Sequence, residues 1–328
     1  MVSSSLLLHL VSAFAVGGAW VSFATLMAEK SGSAVGGFVG GLPSTSVFAL
    51  LFIALNQSPS TAAQATTVYP LVFSFTCFFL LIYSFLAHRG FIVAIAVSLL
   101  IWFALSSLAV VSNVQFGESV AGCVLVGSAV YYLFATRLKL EDYHLVKIAH
   151  PTVVQLLGRA VLSGTVVSLA VLLSQVGGPV FGGVFSAFPA VFTSTLYLTD
   201  RSGGASFSRA IAPHLMVTSI LTTVPYAIAL RFLYPSLGIG LGTVLSYLSA
   251  LPGACIAYTL SSRVRGGRRE PPGANRKERV PTSETPESPA AAICRHTSVG
   301  STHLGKSYDC HSACATCGRP VYFRYTIG

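Results

Sequence analysis

The segment GGFVGGLPSTS (Gly36–Ser46) decides how this chain is read, because it returns as GGVFSAFPAVF (Gly182–Phe192), 146 positions later. Each copy sets Gly-Gly, five residues and a proline inside a long apolar run. Proline removes a backbone donor and breaks a helix. In hydrocarbon such a break persists only where it is buried in protein or lines a polar cavity. Hydroxyls follow both prolines: Ser44, Thr45 and Ser46 in one copy, Thr193, Ser194 and Thr195 in the other. A half-helix starting after each proline aims its positive end at the middle of the membrane, a setting that favours an anion. Two readings stay open. Pro43, Ser44, Thr45, Pro189, Thr193 and Ser194 line a substrate site, or Gly36, Gly37, Gly40 and Gly41, with Gly182 and Gly183, form small-residue faces on which other helices pack.

Outward from these segments the chain reads as membrane. Of its 328 residues 53% are hydrophobic and only 9% charged, with a mean hydropathy of +0.72, which does not describe a soluble core and shell. Apolar runs long enough to cross about 30 Å of hydrocarbon fall near 5–27, 34–55, 66–86, 90–111, 118–136, 152–174, 179–198, 211–230 and 237–260. The expectation is an all-α integral membrane protein of about nine transmembrane helices. The first run, SLLLHLVSAFAV, has no basic residues before it and matches a later span, so it is read as a true helix rather than a cleaved signal. With nine spans, Lys30, Arg89, Arg137, Lys139, Lys147, Arg201, Arg209 and the basic tail share one side, and only Arg231 lies on the other. The positive-inside rule then puts the N-terminus outside and the C-terminus in the cytoplasm of a cell-membrane protein.

The 146-residue shift aligns Leu10–Leu50 with Leu156–Leu196 without a gap, with eleven identities in 41 pairs, among them Gly18/Gly164, Gly36/Gly182, Gly37/Gly183 and Pro43/Pro189. Five spans precede the second copy, and an odd number of crossings reverses direction, so the two repeats are expected in inverted topology. The units are 1–136, a first repeat of about five spans; 137–150, a cytoplasmic connector; 151–261, a second repeat of about four spans; and 262–328. That last segment is basic, then rich in Pro, Ser, Thr and Glu, and is expected to be a largely disordered C-terminal tail.

Ionisable groups inside spans are few. Arg159 lies about two turns into the sixth span, where it either snorkels to the cytoplasmic surface or supplies the positive charge of a site. His9 and His214 are interior imidazoles or proton carriers. Glu29, Glu118 and Asp200 sit at span ends and none occupies the middle of a span, which weighs against a proton-coupled exporter of cations. In the tail, Cys310, Cys314 and Cys317 with His311 form a weak candidate zinc site, since the spacing is not that of paired C-x₂-C motifs. Apart from zinc there, no cofactor is expected. No nucleophile–base pair, phosphate loop or paired carboxylate marks an enzyme, and the basic tail lacks the aromatic interleaving of a nucleic-acid binder.

The stretch Ala187–Pro235 carries an apolar helix ending in small residues, the Phe188-Pro189 step, a Gly-containing loop, Pro225-Tyr226 and then Leu233-Tyr234. In these features it resembles the GlpM-like family of small bacterial inner-membrane proteins, and the first unit matches through Gly36–Leu50. The resemblance covers about 120 residues. It implies single units of about four spans with no established biochemical activity, loosely associated with exopolysaccharide production. This chain departs from that pattern in looking like two fused units, and the resemblance carries over no site residues.

The function expected is secondary transport of a small anionic or neutral solute. The alternative is a non-transporting scaffold that assists envelope polysaccharide production. The partners expected are the lipid bilayer and a small-molecule solute, with no nucleic acid and with a homodimer as a further option.

Overall fold

The computed structural model describes residues 4–30, 43–137, 152–266, 306–313 and 320–327. The chain divides into two units, Met1–Arg269 and Glu270–Gly328. In the first, α1 (Ser4–Lys30) is followed by α2 (Ser44–Asn56), the short α3 (Pro59–Ala65), α4 (Tyr69–Leu86), α5 (Phe91–Val111), α6 (Phe116–Arg137), α7 (Val153–Gly177), α8 (Pro179–Ser186), α9 (Ala190–Leu248) and α10 (Ala250–Gly266). Among the described residues six helical stretches are long and apolar enough to cross a membrane, and α2 is a shorter apolar helix. This is an all-α, multi-pass membrane architecture.

The sixth of those stretches, Pro179–Ala257, is 79 residues long. A straight helix of that length would run about 120 Å, far more than a bilayer, and the backbone shows where it folds. Helix α8 ends before Ala187 and α9 starts after Pro189, while within α9 Gly204 (φ 73°, ψ −178°) and Gly238 (φ 72°, ψ −176°) leave the helical region. Positive φ with extended ψ is open to glycine and to almost nothing else, so these two residues are the corners. The pieces are 179–186, 190–203, 205–237 and 239–266. The expected run 179–198 is thus broken between α8 and α9, at the proline that the sequence marks.

Helix α4 is the centre of the unit. Two-thirds of its most apolar window is buried (67%), against 22% for α5. Its Tyr69, Val72, Phe79, Leu80 and Tyr83 are wholly buried. On α5, Ile92, Leu100 and Val111 are 76%, 69% and 75% exposed, an apolar exterior that water would not tolerate and lipid does. Hydroxyls inside the helices mostly bond back to their own turn: Ser74 to Leu71, Ser84 to Leu80 and Ser98 to Ala94 carbonyls. Such residues enter hydrocarbon with no orphaned donor. Arg231, the cation expected alone on its side, donates to the Ala63 carbonyl and Thr67 hydroxyl at 3.1 and 3.0 Å, with its guanidinium 4.4 Å from the Phe116 ring centroid.

Helices α1 and α7 cross at small residues. A Cβ on Gly18 would lie 2.6 Å from the Ala160 carbonyl oxygen, and one on Gly164 2.5 Å from that of Phe14. The Ser168 hydroxyl donates to the Leu10 carbonyl at 2.8 Å. Leu10 meets Ser168, Phe14 meets Gly164, and Gly18 meets Ala160: each step of four residues up α1 is matched by four down α7, as only antiparallel neighbours allow. In a variant freed of native cysteines, Leu10→Cys with Ser168→Cys should therefore crosslink under mild oxidation. Ser22→Cys with Ser168→Cys, about 18 Å apart along the axis, should not. The reverse pattern on a gel would refute the antiparallel packing.

The second unit departs from the unstructured tail expected. Within it β1 (Lys306–Ala313) pairs antiparallel with β2 (Pro320–Ile327), Lys306 opposite Ile327 and Ala313 opposite Pro320. The run Val321–Ile327 is rich in β-branched and aromatic residues, which suit a strand, whereas the sequence expectation rested on the polar, proline-rich stretch upstream. Residues 267–305 lie outside the described residues.

Candidate functional site

The two proline breaks share one cavity. Its volume is about 50 Å³, and its wall holds Pro43, Ser44, Thr45 and Ser46 from the start of α2, Ala187–Pro189 with Val191 and Phe192 from the second break, Phe73 from α4, and Ser219 and Thr223 from α9. The breaks have nearly the same backbone. Pro43 has φ −75° and ψ 54°, Pro189 φ −76° and ψ 42°. In each the proline carbonyl accepts from the amide four residues on, Val47 and Thr193, at 2.9 Å.

Breaking a helix leaves carbonyls and amides without partners, and among the described residues the carbonyls of Pro43 and of Ser186–Pro189 are taken up. The Pro43 and Pro189 carbonyls accept as above, and that of Phe188 accepts from the Ala190 amide at 2.8 Å. The Ser186 carbonyl accepts from the Ser46 hydroxyl at 3.0 Å, and Ser46 in turn accepts from the Tyr69 hydroxyl at 2.6 Å. The Ala187 carbonyl accepts from the Thr76 hydroxyl at 3.0 Å, and Thr76 accepts from the Trp102 indole at 2.9 Å. Two side-chain chains from α4 and α5 thus clamp the end of α8. The donors are treated differently: the N-cap residues of α2 and α9 are prolines without a side-chain cap, and the first-turn residues Ser44, Thr45 and Ser46 of α2 and Val191 and Phe192 of α9 stand in the wall. Thr45, 6% exposed, has a buried hydroxyl with no partner among the described residues.

Of the residues expected to line a site, Pro43, Ser44, Thr45 and Pro189 do so, while Arg159, Thr193 and Ser194 stand outside the wall. The half-buried Arg159 reaches from α7 to the Thr195 hydroxyl at 3.1 Å, and its buried Nε has no partner among the described residues. Thr195 lies one turn along α9 from the wall residue Val191, so Arg159 sits beside the cavity and not in its wall. The Ser194 hydroxyl bonds back to the Val191 carbonyl at 3.0 Å, and the buried Thr193 hydroxyl has no partner among the described residues. The buried Nδ1 of His9 likewise has none among the described residues, and His214 Nδ1 lies 3.4 Å from the Ala210 carbonyl; neither histidine is in the wall.

The packing residues are also placed. A Cβ on Gly182 would lie 2.6 Å from Ser174 Cβ and 2.9 Å from both the Ala170 carbonyl oxygen and Ile53 Cδ1, and one on Gly183 would overlap the Ala65 carbonyl. Lining and packing are therefore neighbouring functions of one segment. Gly36, Gly37, Gly40 and Gly41 lie outside the described residues, as do Cys314 and Cys317. Cys310 and His311 are consecutive in β1, opposite Phe323 and Tyr322. Among the described residues no group of His, Cys, Asp and Glu is placed to hold a metal.

The motif reading missed Tyr69, Thr76 and Trp102, which hold the breaks in place, and Phe73, Phe188, Ser219 and Thr223, which complete the wall. The only signal for the first three was a polar group near the middle or end of an apolar run. No protein-family model, no curated protein and no solved structure matches the chain.

Proposed function

We propose that the chain is a secondary transporter of a small anionic solute, bound between the two broken helices. The observation that carries this reading is the cavity lined by the N-terminal turns of α2 and α9, neither with a side-chain cap, where among the described residues the carbonyls of Pro43 and of Ser186 to Pro189 already accept hydrogen bonds. Helix N-termini favour negative charge, and discontinuous helices meeting at the midplane are how many transporters build their sites.

In this reading there are nine spans. Helix α2, about 20 Å long, belongs to one of them, and the folded stretch from Pro179 supplies three more with corners at Gly204 and Gly238. The two repeats are inverted. Support comes from the antiparallel crossing of α1 and α7, in which the contacts Gly18–Ala160 and Gly164–Phe14 exchange under the same 146-residue shift. The matched conformations of Pro43 and Pro189 point the same way. Orientation follows the cation count, with the N-terminus outside. We also read the two units as fused GlpM-like repeats, on motif resemblance alone.

The test is anion flux in proteoliposomes. Pro189→Ala restores a backbone donor where the break needs none and lets α8 run on into α9, so flux should fall about tenfold, the equivalent of about 1.4 kcal/mol. Arg159→Ala, one turn away, should cost less. Full flux of all monovalent anions through Pro189→Ala and Thr45→Val alike would sink the site.

A further inference from the structure

Granting that this cavity is the solute site, we propose that its solute is a small monovalent anion that accepts hydrogen bonds and donates none, a halide or nitrate, held by backbone amides and the Thr45 hydroxyl. Four features of the wall lead there. The first is size. A volume of about 50 Å³ is room for about four water-sized spheres, enough for an inorganic anion or one with a residual water and too little for a multi-carbon acid. The second is charge. Among the described residues no ionisable side chain lies in the wall. The two helix N-termini contribute about half an elementary charge each, so together they balance one negative charge and leave a dianion with an uncompensated charge.

The third is hydrogen-bond polarity. The five carbonyls at the breaks are occupied, and the Ser46 proton is committed to the Ser186 carbonyl. Among the described residues at the breaks a cation finds no free carbonyl, and a polyol or hydrogenphosphate finds few acceptors for its own O–H groups. The fourth is Thr45, on the wall, 6% exposed, with its hydroxyl unpaired among the described residues. A buried donor without a partner is costly, and an acceptor-only ligand removes that cost.

Trp102 supplies a readout of binding that does not depend on transport. It is 1% exposed, bonded through Thr76 to the Ala187 carbonyl, and its ring centroid is 5.4 Å from that of the wall residue Phe188. The chain has two tryptophans, so Trp20→Phe leaves Trp102 as the sole indole fluorophore. Bromide titrated onto the full-length Trp20→Phe protein in nanodiscs should quench Trp102 saturably, since a residue this buried escapes collisional quenching from bulk. Chloride should compete, and sulfate, gluconate and glycerol should not. Thr45→Val should raise the half-saturating bromide concentration about tenfold, the usual scale for one hydrogen bond to a charged ligand, and Thr45→Ser should restore it. Quenching that never saturates, or competition by gluconate or glycerol equal to that by chloride, overturns the proposal. Saturable, chloride-competed quenching without chloride flux in the same protein supports this ligand class while removing the transport reading. Flux of a larger organic anion with no bromide binding does the reverse.

Discussion

Gly183→Val is expected to leave little folded protein, and Gly183→Ala to lower stability by about 1–3 kcal/mol, the usual cost of overpacking a tight interior. The reason is the identity of the neighbour. A Cβ at this position would overlap the Ala65 carbonyl oxygen and lie 2.8 Å from its carbon and 3.3 Å from its Cα. These are backbone atoms at the end of α3, with Ala65 itself wholly buried, so no side-chain rotation relieves the overlap. Helix α8 would have to move off α3, and the clamped carbonyls of Ser186 and Ala187 ride on its end. Gly158 is the control, because a Cβ there meets nothing within 4 Å; in mid-helix Gly158→Ala should be neutral or stabilising by up to about 1 kcal/mol. Thermal unfolding in detergent compares them, and equal midpoints for Gly183→Ala and Gly158→Ala would show that the close approach is not needed.

The location of the site was legible in the sequence, and its construction was not. The doubled Gly-Gly-x₅-Pro pattern marks both breaks because glycine and proline act on the backbone wherever they stand, whatever packs around them. Pro43 and Pro189 accordingly lie on one cavity wall. Gly204 and Gly238 are corners for the same reason. Arg159 shows the limit. Its depth in the span can be counted, but the direction of its side chain depends on how α7 is rotated about its axis, and the structure turns it to Thr195. Tyr69, Thr76 and Trp102 were illegible for another reason. An intramembrane hydroxyl usually bonds back to its own helix, as Ser74 and Ser84 do, so Thr76 looks no different from them until α8 is seen beside it. Apolar periodicity was little help, since a helix with lipid on one side and protein on the other is apolar all round.

Thr76 is the residue on which the second large effect is expected. Thr76→Val keeps shape and volume while removing a hydroxyl that donates to the Ala187 carbonyl and accepts from the Trp102 indole. Both partners stay where they are, since Trp102 and Ala187 are 1% and 2% exposed. Each buried group left unpaired costs about 1–3 kcal/mol, so the variant should lose about 2–6 kcal/mol, enough to endanger a membrane domain of ordinary stability. The loss at the site is of a different kind. An unpaired Ala187 carbonyl on the wall of the cavity is an acceptor facing a solute that is itself only an acceptor, so anion affinity should fall even in molecules that stay folded. Trp102→Phe separates the two partners: it removes the indole donor but leaves the Thr76 hydroxyl free to serve Ala187, and should be much milder. Thr76→Ser retains both bonds at the expense of one methyl group. The expected order of damage, in thermal midpoint and in flux alike, is Thr76→Val, then Trp102→Phe, then Thr76→Ser. If Trp102→Phe proved as harmful as Thr76→Val, the indole packing against Phe103 and Phe188, rather than the capped carbonyl, would be what holds the break open.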